Sequence, residues 1–210
     1  MHVLIVGASQ GIGLEVARQA LAAGHQVRAL SRSANSMALA DPHLEKFSGD
    51  ALNTEDMEAA LMGIDVVIQT LGVKLGQLFQ PVHLFSTATR VLIAAMRSKG
   101  VKRLISVTGF GAGDSGASIS LLQRLPFQIV FGRAYGDKSV QERLIKESGL
   151  EWTIARPGVL TRGARTGRYK IHSEAGQWRN GIISRADVAD FLVRQIEDKT
   201  YLRQAPVLVN

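Results

Sequence analysis

The segment that decides the fold is His2-Val3-Leu4-Ile5-Val6-Gly7-Ala8-Ser9-Gln10-Gly11-Ile12-Gly13, in which an apolar run leads directly into a glycine-rich turn. The run predicts a buried strand over residues 2–6, and Ile12, Val16 and Ala20 at helical spacing predict a helix after the turn. Glycines permit the tight turn and let backbone N–H groups approach a pyrophosphate at the positive end of that helix. The spacing is G-x-x-x-G-x-G rather than the commoner G-x-G-x-x-G, but its place between a strand and a helix makes dinucleotide binding the expected function.

The same residues also match G-x-S-x-G, which would make Ser9 the nucleophile of a serine hydrolase. Such a nucleophile needs earlier strands to build the sheet and the oxyanion hole. Only six residues precede the motif, so the hydrolase reading is rejected.

Short β-branched runs alternate with segments of helical period along the rest of the chain, a pattern typical of a parallel sheet with crossover helices. The predicted strands are 2–6, 26–31, 44–48, 65–69, 102–107, 151–156 and 207–209. Amphipathic stripes predict further helices over 84–99, with Gly100 as C-cap, around Val140 and Leu144, and from Val188 to Ile196. We therefore expect an α/β, Rossmann-type, doubly wound and mostly parallel sheet with helices on both faces, in one domain spanning residues 1–210.

Two segments fit the alternation poorly, residues 109–132 and 157–183. The first begins with a glycine-rich stretch that argues against regular structure, and the second is basic and also rich in glycine. Both follow predicted strands at their carboxyl ends, where ligands bind in open parallel sheets, so both are predicted to be substrate-side loops. The apolar stretch 119–131 is open to two further interpretations, a dimer surface or a mobile lid.

Composition excludes several classes of protein. The 210 residues contain no cysteine, which removes a disulfide framework, a thiolate metal site and a cysteine nucleophile. The five histidines are scattered without a zinc-site spacing, so no metal is expected. The sequence shows no export signal and no apolar run of membrane-spanning length, which favours a cytoplasmic protein without membrane association, either a monomer or a homodimer.

The net charge of +7 is concentrated in one segment. Only Glu174 opposes its basic residues, which are Arg156, Arg162, Arg165, Arg168, Lys170, Arg179 and Arg185. Such a segment attracts anions, and an acidic or phosphorylated substrate and an ordinary solvated loop are both compatible with it. Dedicated nucleic-acid binding is not expected, because aromatic residues are only 6% of the chain and no recognition module is present.

Arg32 follows the second predicted strand, where an NAD-specific site would carry an Asp or Glu. A guanidinium can bind a 2′-phosphate through charge-assisted hydrogen bonds, whereas a carboxylate would repel it. NADP(H) is therefore the predicted cofactor in preference to NAD(H), although a solvent-exposed arginine at a strand end would look the same in sequence.

Beyond the glycine loop and Arg32, three segments carry a specific resemblance: Ser48-Gly49-Asp50-Ala51, residues 149–158 and residues 183–189. On these motifs the chain resembles atypical short-chain dehydrogenases/reductases, in the single-domain NAD(P)-binding group that includes biliverdin and flavin reductases and NmrA-like proteins. The similarity extends over nearly the whole length. Asp187, within the last of these segments, is interpreted as structural, since it follows Ser184 at a helix start.

The resemblance implies a set of cofactor contacts. The pyrophosphate would lie against Gly7, Ser9, Gln10, Gly11, Ile12 and Gly13, and the adenosine phosphate against Arg32. Asp50 and Ala51 would contact the adenine, and Thr70, Leu71 and Gly72 the ribose side. Lys138 would reach the nicotinamide ribose, and Pro157, Gly158 and Val159 would pass close to the carboxamide.

Better-known members of the family use a Tyr-x-x-x-Lys pair, in which the lysine lowers the pKa of the tyrosine for proton transfer. This chain has Tyr135-Gly136-Asp137-Lys138, which is one residue shorter. Spacings of three and four share a helix face, so Tyr135 is a candidate general acid, with a packing or gating role as the alternative. Ser106 and Thr108, at the end of the fifth strand, are candidates to orient a substrate carbonyl.

The sequence thus predicts an NADPH-dependent reductase that transfers hydride to a small or medium-sized acceptor. This acceptor is expected to be flavin- or quinone-like, and both an anionic and a neutral acceptor are compatible with the sequence. The incomplete Tyr/Lys pair leaves an alternative open, a non-catalytic NmrA-like protein that senses the NADP redox state or assists the assembly of a partner.

Overall fold

The computed structural model describes residues 1–72, 83–118 and 121–210, with the side chains of 117–118 and 121–133 left aside. The strands are β1 (His2–Val6), β2 (Gln26–Ser31), β3 (Leu44–Ser48), β4 (Val66–Gln69), β5 (Arg103–Val107), β6 (Glu151–Pro157), β7 (Val159–Thr161), β8 (Lys170–His172), β9 (Ile182–Ser184) and β10 (Val207–Val209). The α-helices are α1 (Gly11–Ala22), α2 (Thr54–Ala60), α3 (Leu84–Lys99), α4 (Leu121–Lys146) and α5 (Arg185–Arg194).

The main sheet has the strand order β3-β2-β1-β4-β5-β6-β10-β8. Its strands pair in parallel except for β8, which runs antiparallel to β10. The strand order reverses between β1 and β4, so the connections that follow these strands lead to α1 and α3 on opposite faces of the sheet and leave a crevice, where ligands bind in this class of sheet. The predicted α/β Rossmann-type fold is confirmed, and the predicted strands match β1 to β6 and β10 to within one residue.

Alternation along β1 places its side chains in two hydrophobic cores. Val3 and Ile5 pack with α1 and α5 on one face of the sheet, and Leu4 and Val6 pack with α2, α3 and α4 on the other. All four side chains are fully buried, as expected for a central parallel strand covered by helices on both sides.

The two helices on the first face come from opposite parts of the chain. Val16 and Ala20 of α1 share a core with Val188 and Leu192 of α5. The Gln19 side chain also donates to the backbone oxygen of Ala186 over 2.9 Å. Packing between α1 and α5 thus holds the start of α5 beside the glycine-rich turn.

Helix ends follow the sequence signals. Gly100 ends α3 with a φ of +72°, which confirms it as the predicted C-cap. Ser184 caps α5 by accepting a hydrogen bond from Asp187 N, and the Asp187 carboxylate accepts from Thr166 N and Gly167 N. The structural interpretation of Asp187 is therefore confirmed, and this residue also fixes the loop before β8.

The two segments predicted to be loops contain regular structure, which corrects the prediction. In 109–132 a 3-10 helix spans Gly113–Ser118 and α4 begins at Leu121, because the glycines end at Gly116 and are followed by helix-forming residues. The dimer-surface and lid interpretations of 119–131 fall on side chains outside the described part of the chain. In 157–183, β8 extends the main sheet and β7 pairs with β9 in a separate two-stranded sheet.

The strands β7, β8 and β9 were not predicted, because each has three residues and lies within the basic, glycine-rich segment 157–183. The equally short β10 was recognised from its apolar run Val207-Leu208-Val209. Gly158 and Gly181 permit the close approach of β7 and β9. A β-carbon on Gly158 would come within 2.3 Å of the Gly181 oxygen. Across the described residues, no helix combines the length and hydropathy needed to cross a bilayer.

Candidate active site

A cavity of about 1670 Å³ lies along the carboxyl ends of the parallel strands. Its walls come from the segments after β1, β2, β3, β4, β5 and β6, together with α4 and the starts of α3 and α5. Apart from Gly13 and Ser106, the predicted site residues line it: Gly7, Ser9, Gln10, Gly11, Ile12, Arg32, Asp50, Ala51, Thr70, Leu71, Gly72, Thr108, Tyr135, Lys138, Pro157, Gly158 and Val159. The fold therefore brings together at one edge residues that are distant in sequence.

The glycine loop forms one end of the cavity. Gly7 and Gly11 have φ values of +94° and +61°, a region that favours glycine. A β-carbon on Gly11 would meet no atom within 4 Å, so this glycine leaves open space at the start of α1. That helix begins without a side-chain cap and without an acidic residue in its first turn, which suits an anion.

Gly13 supports the loop from behind. A β-carbon there would come within 2.2 Å of the Gly7 oxygen and 2.6 Å of Thr70 Oγ1. The Thr70 hydroxyl in turn donates to the Val6 oxygen over 3.1 Å. The resemblance implies that Gly13 contacts the pyrophosphate, but Gly13 does not line the cavity. It packs against Gly7 and Thr70 instead, where a larger residue would not fit.

The cavity wall beside the glycine loop, after β2, is rich in hydroxyl groups. Arg32 and the serines Ser31, Ser33 and Ser36 line it after β2. Ser31 Oγ is buried and has no hydrogen-bond partner among the described residues. A buried hydroxyl without a partner costs free energy, and an anion beside Arg32 would supply the missing acceptor. The residues present thus fit a dinucleotide.

Lys138 of α4 contributes a buried positive charge to the cavity wall. Its Nζ donates to the backbone oxygen of Thr108 over 2.5 Å and lies 5.2 Å from the centre of the Phe85 ring. Burial lowers the pKa of Lys138 to about 8, although the Glu142 carboxylate opposes this shift. Lys138 is therefore mostly an ammonium at pH 7, and it loses its proton near pH 8 rather than near pH 10.

The Thr108 hydroxyl acts as a hydrogen-bond donor to a buried carboxylate. Its hydroxyl donates to Glu142 Oε1 over 2.7 Å, and Glu142 also accepts from Arg156 Nε over 3.0 Å. A threonine hydroxyl has a single proton, and in this arrangement that proton is directed to Glu142. The role of Thr108 in orienting a substrate carbonyl stays a prediction.

Ser106 lies behind the cavity wall, which corrects its assignment as a catalytic candidate. It is fully buried, and its hydroxyl donates to Gln69 Oε1 over 3.1 Å. Gln141 Nε2 donates to the same oxygen over 3.0 Å, and Gln69 Nε2 donates to Thr89 Oγ1 over 3.0 Å. This buried network joins β4, β5, α3 and α4, so Ser106 stabilises the wall rather than touching a ligand.

Tyr135 lines the cavity on α4, and burial raises the pKa of its hydroxyl. The hydroxyl lies against Gly109, where a β-carbon would come within 2.7 Å of it. Lys138 Nζ lies 5.3 Å from the centre of the Tyr135 ring. The ammonium faces the ring, and the pKa of the hydroxyl is raised rather than lowered as in a Tyr-x-x-x-Lys pair. Proton donation by Tyr135 stays a prediction.

Arg156 does not belong to the anion-attracting surface, which corrects its place in the basic segment. It is fully buried and forms ion pairs with Glu142 and Asp114, while its guanidinium lies 4.9 Å from the centre of the Trp178 ring. Its charge is therefore neutralised inside the protein. Alternation along β6 points its side chain away from solvent, which charge alone does not reveal.

Glu142 was missed in the sequence, although a signal for it exists. It lies four residues after Lys138 on α4, so both share one helix face. The Glu142 carboxylate forms an ion pair with Arg156 and interacts electrostatically with Lys138. Among the described residues, no group of three or more His, Asp or Glu side chains is arranged to hold a metal ion.

Comparisons with known proteins agree with this geometry. The profile of a family described as NAD(P)H-binding matches residues 7–199. The solved structure of ChuY, an anaerobillin reductase from Escherichia coli O157:H7, is similar with a TM-score of 0.82 and 27% identity, over 100% of this chain and 97% of that chain.

Two curated relatives differ in what their names say they do. An NAD(P)H azoreductase from Xenophilus azovorans is 30% identical over 159 residues, which are 75% of this chain and 48% of the relative. The photosystem II assembly factor Ycf39 from Cyanophora paradoxa is 29% identical over 161 residues, which are 73% of this chain and 44% of the relative. This chain thus spans about half the length of both.

Proposed function

Because this chain belongs to the NAD(P)H-binding family, we propose that it is an oxidoreductase that binds NADPH and reduces a small or medium-sized, flavin- or quinone-like acceptor. The observation that carries the proposal is one continuous cavity that combines the uncapped start of α1, Arg32 and the Lys138 ammonium. Similarity to an anaerobillin reductase and to an NAD(P)H azoreductase supports a reductase. A chain without cysteine is typical of a reducing compartment, so the proposal includes a cytoplasmic location and a monomer or homodimer.

The preference for NADPH over NADH rests on the cavity wall after β2. Arg32 is exposed in the cavity, and the nearby Ser31 hydroxyl is buried without a partner among the described residues. No carboxylate occupies the strand end that would bind the ribose hydroxyls of NADH. A 2′-phosphate would satisfy both side chains, whereas NADH would leave them unpaired.

The bound nicotinamide supplies a hydride, and the chain supplies position and charge. The start of α1 would hold the pyrophosphate in the middle of the cofactor, and Arg32 would hold the phosphate on its adenosine side. Thr108 is a candidate to orient a substrate carbonyl, and its own proton is directed to Glu142. Lys138 holds a proton on Nζ at the same wall, where it stabilises negative charge that develops on an acceptor oxygen, and Tyr135 is the second candidate donor.

The test is NADPH oxidation under anaerobic conditions, with riboflavin, FMN and a water-soluble quinone as acceptors. We expect NADPH absorbance to fall in step with formation of the reduced acceptor, and NADH to be used much less efficiently. Calorimetric binding of NADPH without consumption of NADPH with any acceptor would reject the enzyme.

A second candidate function is favoured by one observation, the similarity to a photosystem II assembly factor. On that reading the chain binds NADP(H) without turnover and acts on a partner protein. The altered Tyr135 and Lys138 arrangement is compatible with it. The anaerobic assay decides between the two candidates, because only the enzyme couples NADPH loss to reduction of an acceptor.

A further inference from the structure

Two arginines reach the cavity through the small sheet formed by β7 and β9. These strands are parallel, and their register pairs Thr161 with Ser184. Arg162 follows β7 directly, Arg185 begins α5 directly after β9, and both line the cavity. Arg185 Nη1 donates to the backbone oxygen of Thr161, the residue before Arg162, so the Arg185 guanidinium lies beside the chain segment that carries Arg162.

The charges of these two arginines are not neutralised within the described part of the chain. Arg185 Nη1 donates to the backbone oxygen of Thr161 over 3.0 Å, which orients the side chain without cancelling its charge. Arg162 forms no ion pair with the described residues. The neighbouring cations differ, since Arg165 pairs with Asp190 over 2.8 Å and Arg156 pairs with Glu142.

The pair lies far from the proposed 2′-phosphate site. Arg32 follows β2, and the strand that leads into β7 is β6. In the sheet, β2 and β6 are separated by four strand spacings, or about 19 Å. The cavity volume of about 1670 Å³ also exceeds the roughly 300–1000 Å³ that one ligand usually fills. The cavity thus has room for a second ligand near the arginine pair.

The wall beside the pair is apolar and suits a flat ring system. Leu160, two residues before Arg162, and Phe110 line the cavity. Leu160 is partly buried, and Phe110 is 5% exposed and packs with Val207 and Val209. A ring system placed against this wall would direct a charged substituent toward the cations.

We propose that Arg162 and Arg185 bind an acidic group, a carboxylate or phosphate, on the acceptor whose flat body packs against Phe110 and Leu160. This inference deepens the proposed function and rests on it. Two guanidinium groups match the oxygens of such an anion through charge-assisted hydrogen bonds. An acceptor without the acidic group would bind in the same place but more weakly.

The test uses FMN and riboflavin, which share one ring system and differ by a phosphate group. Their binding is measured by flavin fluorescence, with and without saturating NADP⁺, for the wild type and for the double variant Arg162→Ala/Arg185→Ala. We expect the wild type to bind FMN about tenfold more tightly than riboflavin, a difference that higher ionic strength reduces. The double variant should bind FMN only as tightly as riboflavin, with riboflavin affinity changed less than about twofold.

The matched control is Arg168→Ala/Arg179→Ala, which removes two exposed arginines of the same segment that are absent from the described cavity wall. This control should bind FMN, riboflavin and NADP⁺ like the wild type. If the first double variant fails to fold, Arg162→Ala alone replaces it, because this side chain is exposed and forms no described contact. An intermediate loss of FMN affinity is then expected.

Equal affinity of the wild type for FMN and riboflavin, or no FMN binding, would overturn the inference. A loss of NADP⁺ affinity as large as the loss for FMN would assign the pair to the cofactor phosphates instead and would also overturn it. The proposed function fails by a different result, namely FMN selectivity that depends on the arginines without any consumption of NADPH.

Discussion

At the scale of single residues, the electrostatics of Lys138 depend on where its side chain lies. Its ammonium is enclosed by the Phe85 and Tyr135 rings and donates to a backbone carbonyl. Burial lowers its pKa to about 8, which is below its value in an unfolded chain. Between pH 8 and about pH 10 the unfolded chain therefore binds more protons than the folded one, and stability attributable to Lys138 rises with pH.

Replacing the lysine tests this pH dependence. Lys138→Met removes the titrating group, so the difference in free energy of unfolding between wild type and variant should shift in favour of the wild type by about 1–2 kcal/mol from pH 7.5 to 10. Urea unfolding at several pH values measures it, and the effects of other groups cancel in the difference. A difference that stays constant across this range would show that Lys138 titrates normally.

Arg32 gives a second prediction at this scale. Arg32→Glu replaces attraction to a 2′-phosphate by repulsion, so NADPH affinity should fall about 100-fold while NADH affinity changes less than about threefold. Calorimetric titration with both cofactors measures the change. Arg90→Glu, on the exposed surface of α3, makes the same change of charge outside the described cavity wall and should leave both affinities unaltered. Equal losses for NADPH and NADH in Arg32→Glu would exclude Arg32 as the phosphate ligand.

Single residues also show where sequence reasoning stops. Arg32 and the glycines of the first loop were predictable because their position relative to a strand end fixes their place. Ser106 and Arg156 were assigned wrongly because their partners, Gln69 and Glu142, are 37 and 14 residues away. Burial and pairing depend on such distant contacts, which residue type and local spacing do not encode.

At the scale of elements, α4 supports α3 as well as the cavity. Helix α3 starts without a side-chain cap from its own N-cap residue, His83. Asp137 of α4 supplies the missing acceptor, since its Oδ2 receives hydrogen bonds from Phe85 N over 2.8 Å and Ser86 N over 3.3 Å. The Asp137 side chain is buried, so these N–H groups have no access to water as a substitute.

Removal of this contact should therefore be costly. Asp137→Ala leaves two buried N–H groups unpaired and should lower the free energy of unfolding by about 2–3 kcal/mol, whereas Asp137→Asn retains an acceptor oxygen and should lose about half as much. Urea denaturation measures both, with Glu147→Ala, an exposed carboxylate beyond the end of α4, as the control. Equal stability of the alanine variant and the wild type would contradict the capping role.

The strands β1 to β6 were predicted, although not all by the same signal. β1, β4 and β5 are rich in β-branched residues, whereas β3, Leu44–Ser48, contains none. The longest helix, α4, was predicted only in its second half, and the short helix α2 was not predicted. The strands β7, β8 and β9 have three residues each and depend on pairing with distant segments. The proposed anion site lies directly after two of these strands, which is why the sequence indicated a basic segment without selecting Arg162 and Arg185.

At the scale of the whole molecule, the sheet order places the cavity. Reversal of the order between β1 and β4 opens the crevice, and parallel pairing brings the carboxyl ends of six strands to one edge. Alternation of strands and helices was enough to predict that edge as the ligand site. The segment 157–183 was also predicted to lie on the substrate side. The parallel pairing of β7 with β9 within it was not predicted, because that pairing joins residues distant in sequence.

The packing of α1 against α5 has a consequence for synthesis on the ribosome. At about 5–20 residues per second, α5 is made roughly 10–30 s after α1. During that interval the apolar face of α1, with Val16 and Ala20, lacks the partner that covers it in the finished protein. We therefore expect the apolar face of α1 to stay incompletely covered through most of translation, and the nucleotide loop at the start of that helix to reach its final packing only after α5, close to the end of the chain, has emerged.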